Sequence, residues 1–422
     1  MPVVVVASVV SSAQRNPPPR LSFRHRPGAA VRGTAAALWL ATCSVDALAQ
    51  SAPPVPLDRA ALQAVLDSTA KTLLVPGAVV VLRTPEGNLT LHHGSTAYKG
   101  SVPTAADQHL RVGSNTKTWT ATVILQQVQE GKLRLDDPVS KYRPEVPGGD
   151  KINVEQLLDM RSGLFNYSTT LELNRLLDEQ PLKVWTQAEL LALAFAHAPD
   201  AAPGAGFHYS NTNTILLGLV AQALDGGKPL AAIMHERLFK PLGLKHTLLP
   251  AIDVNTLPAP FARGYMYGSN VLTMGSPPAL PIEMQNAARA GTLAPVDQTL
   301  DNPSWGWAAG AGISTADELA TWVRALVRGG LLGPELQARR LASVRPVNPA
   351  DPGGVAYGWG LARLGPMLGH TGELPGYNAF MGHDPVKDVT LVVWTNLGPA
   401  PGGQGPAVEI ARALIGRLYA PR

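Results

Sequence analysis

The order of strand-like and helix-like segments is the feature that most restricts how this chain can fold. Strand patterns lie near both ends: "GAVVVLR" and "LTLHHGS" flank the turn "TPEGN", and "YNAFMGHD" and "DVTLVVWTNLG" come close to the C-terminus. Residues from about 150 to 250 instead show the apolar spacing of helices. We therefore predict an α/β fold of the α+β type. Both chain ends build one antiparallel sheet, helices flank it, and a mainly helical region is inserted.

The first 49 residues differ in composition from the rest and indicate a leader. Arginines precede the apolar run "AAALWLATCSV", and small residues at Ala47 and Ala49 offer a cleavage site before Gln50. This pattern predicts an export signal and a periplasmic or secreted protein. A disordered extension is the alternative. The apolar run is too short to span a bilayer.

Beyond the leader, residues 50–57 form a proline-rich linker, and residues 58–422 are predicted to be one folded domain that contains the inserted helical region. Cys43 is the only cysteine, so cleavage at the predicted site leaves no disulfide and no thiol nucleophile. The segment around Cys43 loosely resembles a lipoprotein signal. A lipid anchor there is the less favoured alternative.

Charge and ligand spacing argue against nucleic-acid binding and metal chemistry. Five of the 35 basic residues and one of the 31 acidic residues lie in 1–50, which leaves 30 of each in the remainder. A neutral body offers no electrostatic footprint for a polyanion. The histidines match no common zinc motif, and there is no glycine-rich phosphate loop. We therefore expect neither a metal nor another cofactor.

Three short motifs carry residue types suited to nucleophilic catalysis. Ser114 and Lys117 lie one turn apart at the start of a helix, where a lysine of lowered pKa could activate the serine. Tyr209 and Asn211 precede a second helix, and His370 begins "HTG" before a strand. Taken singly, each motif is equally explained by helix capping or by a surface side chain.

In combination, the motifs S-x-x-K, Y-x-N and H-T-G resemble the serine β-lactamase and penicillin-binding protein superfamily. The closer resemblance is to its branch of D-alanyl-D-alanine carboxypeptidases and class C β-lactamases. The stretches "GKLRLDDPVSKYRP", "LLDMRSGL" and "WGWAAGAGISTADELATW" also resemble that branch. The resemblance extends from about residue 58 to 418. It implies the β-lactamase/transpeptidase-like fold.

The resemblance also implies a role for each motif residue. Ser114 would be the acylated nucleophile and Lys117 its proton partner. Tyr209 would shuttle the proton to the leaving group, and His370 would tune the tyrosine and the local charge.

Substrate contacts are implied as well. Asn211 and Thr371 would hold the substrate, and Gly372 would let it approach the strand closely. The backbone N–H groups of Ser114 and Glu373 would form the oxyanion hole, whose donors are worth about 3 kcal/mol each.

Three positions depart from the family pattern. Carboxypeptidases of this branch carry a carboxylate-binding arginine where this chain has Ala362, and the neighbouring Arg363 should face the other way on a regular strand. His370 stands where many relatives have lysine, and Met160-Arg161 where they usually have His-Thr.

The resulting prediction is an exported serine hydrolase that acts through a Ser114 acyl-enzyme on a peptide or small molecule. The favoured hypothesis is a D-alanyl-D-alanine carboxypeptidase-like peptidase. A β-lactamase or a carboxylesterase of the same fold is the alternative. Outside catalysis, a penicillin-binding domain that only recognises ligands is the remaining hypothesis.

Overall fold

The structure, a computed structural model, describes residues 57–275 and 278–420. The predicted leader and almost all of the linker therefore lie outside the described residues. The α-helices of this part are α1 Arg59–Thr72, α2 Thr116–Gln129, α3 Val154–Leu158, α4 Leu171–Glu179, α5 Gln187–Phe195, α6 Asn211–Leu224, α7 Leu230–Met234, α8 Lys240–Leu242, α9 Ile282–Arg289, α10 Trp307–Gly310, α11 Ala316–Arg328, α12 Pro334–Ala342 and α13 Pro406–Leu418.

The strands of the described part are β1 Gly77–Thr84, β2 Gly87–Gly94, β3 Leu110–Arg111, β4 Tyr265–Met266, β5 Val296–Asp297, β6 Ile313–Ser314, β7 Arg345–Pro346, β8 Ala356–Tyr357, β9 Ala362–Leu364, β10 Met367–Leu374, β11 Tyr377–Asp384 and β12 Val389–Thr395. Eight of them form one sheet in the order β2-β1-β12-β11-β10-β9-β8-β7. Every neighbouring pair in this sheet is antiparallel.

The two chain ends meet at the pairing of β1 with β12, in which Val80 lies opposite Val393. Both strands are apolar and buried along most of their length, which is the pattern of strands that are covered on both faces. The predicted antiparallel sheet from both chain ends is confirmed.

Each face of the sheet has its own hydrophobic core. On one face the sheet packs against α1 and α13, with Leu66, Phe380 and Leu414 among the buried residues. On the other it packs against α11 and the helical region, with Trp119 and Trp394 buried there. Successive residues of β10 therefore point alternately into the two cores, because side chains alternate along a strand.

The stretch "VAYGWGLARL" has a strand pattern, and the structure divides it into two short strands, β8 and β9, which pair with each other. Gly358 donates its N–H to the Leu361 carbonyl, so the chain turns between them. Gly360 at this turn has a φ of +60° and lies against Ala121 of α2. The hairpin tip thus reaches the helix that carries the predicted catalytic lysine.

Within the part of the chain that the structure describes, no helix is long and apolar enough to cross a membrane.

Candidate active site

The predicted nucleophile lies on a single 3₁₀ turn, Gly113–Asn115, that leads directly into α2. Gly113 has a φ of +55°, and a Cβ atom there would come within 2.4 Å of the backbone nitrogen of Glu373. A Cβ on Gly372 would likewise come within 1.9 Å of the Val112 carbonyl oxygen. Two glycines therefore let the turn that carries Ser114 pack closely against β10, and this contact places the Glu373 backbone nitrogen against Gly113, the residue before Ser114.

Lys117 is buried with 1% of its surface exposed, and its ammonium nitrogen has three close polar neighbours. Its Nζ lies 2.9 Å from Ser114 Oγ, 2.6 Å from Asn211 Oδ1 and 2.8 Å from the Ala309 carbonyl oxygen. None of these neighbours is charged. Burial without a counter-ion lowers the pKa of Lys117 well below its usual value.

In the neutral form of Lys117, these contacts orient the amine. A neutral lysine has two N–H bonds and one lone pair, and two of its neighbours, Asn211 Oδ1 and the Ala309 carbonyl, can only accept hydrogen bonds. They take the two N–H bonds, so the lone pair is left facing the hydroxyl of Ser114. The arrangement suits a general base, which must lie within hydrogen-bond reach of the proton it removes.

Tyr209 lies on the other side of the lysine, with Nζ of Lys117 4.9 Å from the centre of its ring. Burial raises the pKa of Tyr209, and the nearby Ser114 hydroxyl opposes this rise. The Tyr209 hydroxyl is buried and makes no well-aligned hydrogen bond with any described residue. A phenol in this state keeps its proton at neutral pH and is free to donate it to a reacting group.

His370 is buried on β10 and is held on both ring nitrogens. Its Nδ1 lies 2.6 Å from the Thr371 carbonyl oxygen, and its Nε2 lies 3.0 Å from the Tyr357 hydroxyl. A carbonyl can only accept, so Nδ1 carries the proton and Nε2 accepts from Tyr357. Burial is the main cause that lowers the pKa of His370 to about 3. The imidazole is therefore neutral at physiological pH.

Tyr357 connects His370 to the rest of the site. Its ring packs edge-on against Tyr209, with 6.3 Å between ring centres, and against His370 at 5.5 Å. It also lies within electrostatic range of Arg340, a buried arginine whose pKa burial lowers to about 9. The predicted influence of His370 on Tyr209 can therefore act through Tyr357, which contacts both residues.

Asn211 begins α6 and uses its whole side-chain amide within the protein. Its Oδ1 accepts from Lys117, and its Nδ2 donates to Ser168 Oγ at 2.9 Å. Its backbone N–H donates to Asn166 Oδ1. The amide that the sequence assigns to substrate binding therefore fixes the lysine in this structure.

The three other predicted substrate contacts lie on β10. Gly372 faces the nucleophile turn, whereas Thr371 lies opposite Phe380 of the other core. The Glu373 side chain is buried and accepts a hydrogen bond from Asn378 Nδ2 at 2.8 Å. Burial raises the pKa of this carboxyl to about 7. Only the backbone of Glu373 meets the nucleophile.

The departures from the family pattern have structural counterparts. Ala362 pairs with Gly369, and the Arg363 guanidinium donates to the carbonyls of Pro352 and Gly354. Met160 has a φ of +61°, and its carbonyl accepts the His208 N–H immediately before Tyr209. Arg161 accepts at its carbonyl from Gly204 in the same way. The Met160-Arg161 turn therefore anchors the segment that delivers Tyr209.

Sequence reasoning did not single out Tyr357 or Ala309 as members of the site. Tyr357 lies in "VAYGWGLARL", which has a strand pattern, and Ala309 lies in "WGWAAGAGIS", which belongs to the family resemblance. Ala309 contributes only its backbone carbonyl, so its side chain gives no signal. Tyr357 could have been found only from the β8–β9 hairpin that brings it to His370.

Among the residues that the structure describes, no group of three or more His, Cys, Asp or Glu side chains is placed to hold a metal ion.

A buried Ser-Lys pair with a neighbouring tyrosine, set against one strand of an antiparallel sheet, defines a serine hydrolase of the β-lactamase/transpeptidase fold. The sequence profile of the Beta-lactamase family matches residues 62–414. The chain therefore belongs to this family, and the resemblance predicted from its motifs is confirmed.

Solved structures and curated sequences similar to this chain show the range of the family. A D-stereospecific amidohydrolase from Streptomyces sp. is 31% identical, with a TM-score of 0.71, and the match covers 86% of this chain and 99% of that one. A D-amino acid amidase from Ochrobactrum anthropi SV3 is 26% identical, with a TM-score of 0.70, covering 85% and 98%. A β-lactamase from Providencia stuartii is 28% identical over 215 residues, which is 50% of this chain and 51% of the relative. The chain thus matches about half the length of that curated relative.

Proposed function

We propose that this protein is an exported serine hydrolase that cleaves amide bonds of D-aminoacyl substrates through a covalent Ser114 intermediate. The observation that carries the proposal is the buried Lys117 amine, whose pKa is lowered by burial and whose Nζ lies 2.9 Å from the Ser114 hydroxyl oxygen. The resemblance of the whole domain to a D-stereospecific amidohydrolase and to a D-amino acid amidase supports the choice of a D-aminoacyl group.

In the proposed acylation, Lys117 removes the Ser114 proton while Oγ attacks the substrate carbonyl carbon. The negative charge that develops on the carbonyl oxygen lies at the backbone N–H groups of Ser114 and Glu373. The Tyr209 hydroxyl gives its proton to the leaving nitrogen and regains one from Lys117. The C–N bond then breaks, the free amine leaves, and the acyl group remains as an ester on Ser114.

Deacylation reverses these proton movements with water as the nucleophile. A water molecule gives a proton to the Tyr209 oxygen as Tyr209 passes its own proton to Lys117, and the water oxygen attacks the ester carbonyl. Ser114 Oγ then leaves and takes the proton from Lys117, so the products are a D-amino acid and the regenerated enzyme. The same residues serve both steps, as microscopic reversibility requires for two related acyl transfers.

The charges on the leaving-group side favour a neutral leaving group. His370 is neutral, and Arg363 gives hydrogen bonds to two loop carbonyls. A free carboxylate on the leaving amino acid would lose solvation there without a fixed positive charge from either residue. This comparison supports an amidase over a peptidase that requires a C-terminal carboxylate.

A second candidate is a D-alanyl-D-alanine carboxypeptidase-like peptidase, the activity that the sequence favours. The observation in its favour is a cavity beside the catalytic strand that is lined by His370, Thr371, Arg363 and Arg412. Arg412 comes from α13 and is about half exposed, with Glu409 3.8 Å away. If Arg412 turned toward Thr371, it could supply the positive charge that a carboxylate needs.

Paired substrates separate the two candidates. The enzyme should release ammonia from D-alaninamide, hydrolyse D-alanyl-D-alanine amide faster than free D-alanyl-D-alanine, and leave L-alaninamide intact. A preference for the free dipeptide that disappears in Arg412→Gln would instead favour the carboxypeptidase. Ser114→Ala is the control, and it should abolish every one of these reactions.

Trapping experiments address the other activities. Intact mass after incubation with benzylpenicillin should show an adduct on wild type and none on Ser114→Ala. Rapid loss of the drug without an accumulating adduct would favour a β-lactamase. If no D-aminoacyl amide, ester or β-lactam is cleaved, the proposal fails and a ligand-recognition domain becomes the better interpretation. Export is tested by sequencing the N-terminus of the protein recovered from the periplasm, where we expect Gln50.

A further inference from the structure

A second cavity lies next to the reaction centre, and none of the proposed chemistry uses it. Its lining includes Arg111, Asn270, Asp301, Trp305, Leu374 and Pro375. Leu374 and Pro375 directly follow Glu373 on β10, and Arg111 precedes Ser114 by three residues. The cavity therefore adjoins the nucleophile turn on the side where β10 continues into its hairpin.

Arg111 contributes hydrogen-bond donors that the protein leaves unused. It is 2% exposed, and its Nη2 donates to the carbonyls of Asn255, Thr299 and Asp301. Its Nε and Nη1 are buried and have no hydrogen-bond partner among the described residues. Buried polar groups in native proteins are nearly always paired, so unused donors beside a cavity indicate a missing acceptor.

Asn270 contributes an unused acceptor to the same cavity. It is 1% exposed, and its backbone N–H and its Nδ2 both donate to Asp178 Oδ1, at 2.7 and 2.8 Å. These two bonds fix the orientation of the amide, so Oδ1 must point away from Asp178. That oxygen is buried and has no partner among the described residues.

Asp301 adds a negative charge. No ion pair within 4 Å or hydrogen bond of its carboxylate occurs in the described ranges 57–275 and 278–420, although Arg111 is near enough to act on it through its charge. Burial raises the pKa of Asp301 to about 7, the Arg111 charge opposes this rise, and the charges of Asp297 and Asp178 add to it. Asp301 therefore lines the cavity without a cationic side chain within 4 Å of its carboxylate among the described residues.

We propose that this cavity binds the protonated amino terminus of a peptide-like acyl group, with Asp301 and Asn270 Oδ1 accepting from the ammonium and Arg111 donating to the adjacent carbonyl. An ammonium has three donors and suits two fixed acceptors. An isolated carboxylate ligand would be drawn to Arg111 but repelled by Asp301. The inference rests on the proposed function, because it assigns the cavity to the substrate of Ser114.

Other buried acids near the site are already engaged. Glu373 accepts from Asn378, and Asp159 is paired with Arg345 at 2.6 Å. Neither lines this cavity. Asp301 is therefore the acid whose geometry leaves it available for a substrate amine.

The test compares two substrates that differ only at the amino terminus: D-alanyl-D-alanine p-nitroanilide with a free amine, and its N-acetyl form. For wild type we expect a KM about 10- to 100-fold lower for the free amine, the range of one charge-assisted hydrogen bond, at similar kcat. In Asp301→Asn this preference should fall to near unity, because KM for the free amine rises to that for the acetylated substrate. Asp253→Asn makes the same charge change at an exposed position and should keep the wild-type preference.

The outcomes are separable. If wild type cleaves both anilides with equal KM, or if Asp301→Asn retains the preference, the cavity does not bind the amine, and the amidase proposal still stands. If wild type cleaves neither anilide, the proposed function itself fails and takes the inference with it. The wild-type comparison needs no variant, so it can overturn the inference even if Asp301→Asn misfolds.

Discussion

The proposed mechanism requires Lys117 to be neutral, and replacing Asn211 by aspartate tests this directly. Asn211 Oδ1 lies 2.6 Å from Lys117 Nζ, and the aspartate side chain has nearly the same shape. The substitution therefore keeps the hydrogen bond and adds a negative charge beside the amine. An opposite charge at this distance favours the protonated ammonium, so the pKa of Lys117 must rise.

The size of the shift follows from the separation of the two charges. The carboxylate charge is shared by two oxygens, of which only one would lie at the 2.6 Å hydrogen-bond distance, so we take the charges to be about 4 Å apart, where they attract by about 4 kcal/mol at an effective dielectric constant near 20. At about 1.4 kcal/mol per pKa unit this corresponds to about 3 units. Burying the new carboxylate costs part of that energy. We therefore expect a rise of about 2 units, which reduces the neutral fraction of Lys117 about 100-fold at any pH below both pKa values.

The assay is single-turnover release of p-nitroaniline from D-alanine p-nitroanilide, followed from about pH 6 to about pH 10. In Asn211→Asp the rising limb should move about 2 units to higher pH, and the rate at high pH should approach that of wild type. Asn213→Asp is the matched control. Asn213 lies on the same helix as Asn211, but its side chain bonds Ser162 and Met160 and not Lys117. A uniform loss of rate in Asn211→Asp without a shift of the limb would refute Lys117 as the titrating base.

Three further predictions concern the groups around this pair. Tyr357→Phe leaves Nε2 of His370 a buried acceptor without a donor, so the free energy of unfolding measured in urea should fall by about 1–3 kcal/mol. The ¹⁵N resonances of His370 should also lose their single-tautomer pattern. Unchanged resonances would contradict the assigned tautomer. The folded pKa of Glu373, about 7, lies above its ordinary 4.5, so its stabilising contribution is complete below pH 4.5 and is lost as pH rises through about 7. Relative to Glu373→Gln, the unfolding free energy of wild type should therefore fall by about 3 kcal/mol between about pH 4 and about pH 8.5. If the unfolding free energies of the two proteins instead change in parallel with pH, the Glu373 carboxyl is not buried in solution. Because Asp301 is ionised above about pH 7, KM for the free-amine anilide should fall as pH rises through that value and rise again as the substrate amine loses its proton near about pH 8, and KM for the acetylated anilide should show neither change.

The fold could be predicted from sequence because its signals are local and repeated. Alternating and continuous apolar runs at both chain ends specify strands, and the apolar spacing from about 150 to 250 specifies helices. The β8–β9 hairpin was missed because its turn lies within an apolar, aromatic stretch. Its conformation depends on the contact of Gly360 with Ala121, which is far away in sequence.

The site was predictable as a set of residue types but not as a geometry. Three spaced motifs identified Ser114, Lys117, Tyr209 and His370, and the structure brings all four together. The spacing of the motifs could not show that the Asn211 amide oxygen bonds Lys117, or that His370 bonds a second tyrosine, Tyr357. Those facts depend on which side chains meet across the interface of α2, α6 and β10.

The protonation states around Ser114 follow from one physical condition, burial without counter-ions. Burial disfavours the charged form of every group, so it lowers the pKa values of Lys117 and His370 and raises that of Tyr209. A lysine of lowered pKa and a protonated phenol then coexist near the serine, which is the combination that acyl transfer from an amide to Ser114 requires. The condition also explains why a histidine can occupy a position where relatives have lysine: at full burial it is a neutral, hydrogen-bonded side chain that adds no charge. A substrate must then find its charged partner elsewhere, and the unpaired Asp301 in the adjoining cavity provides one.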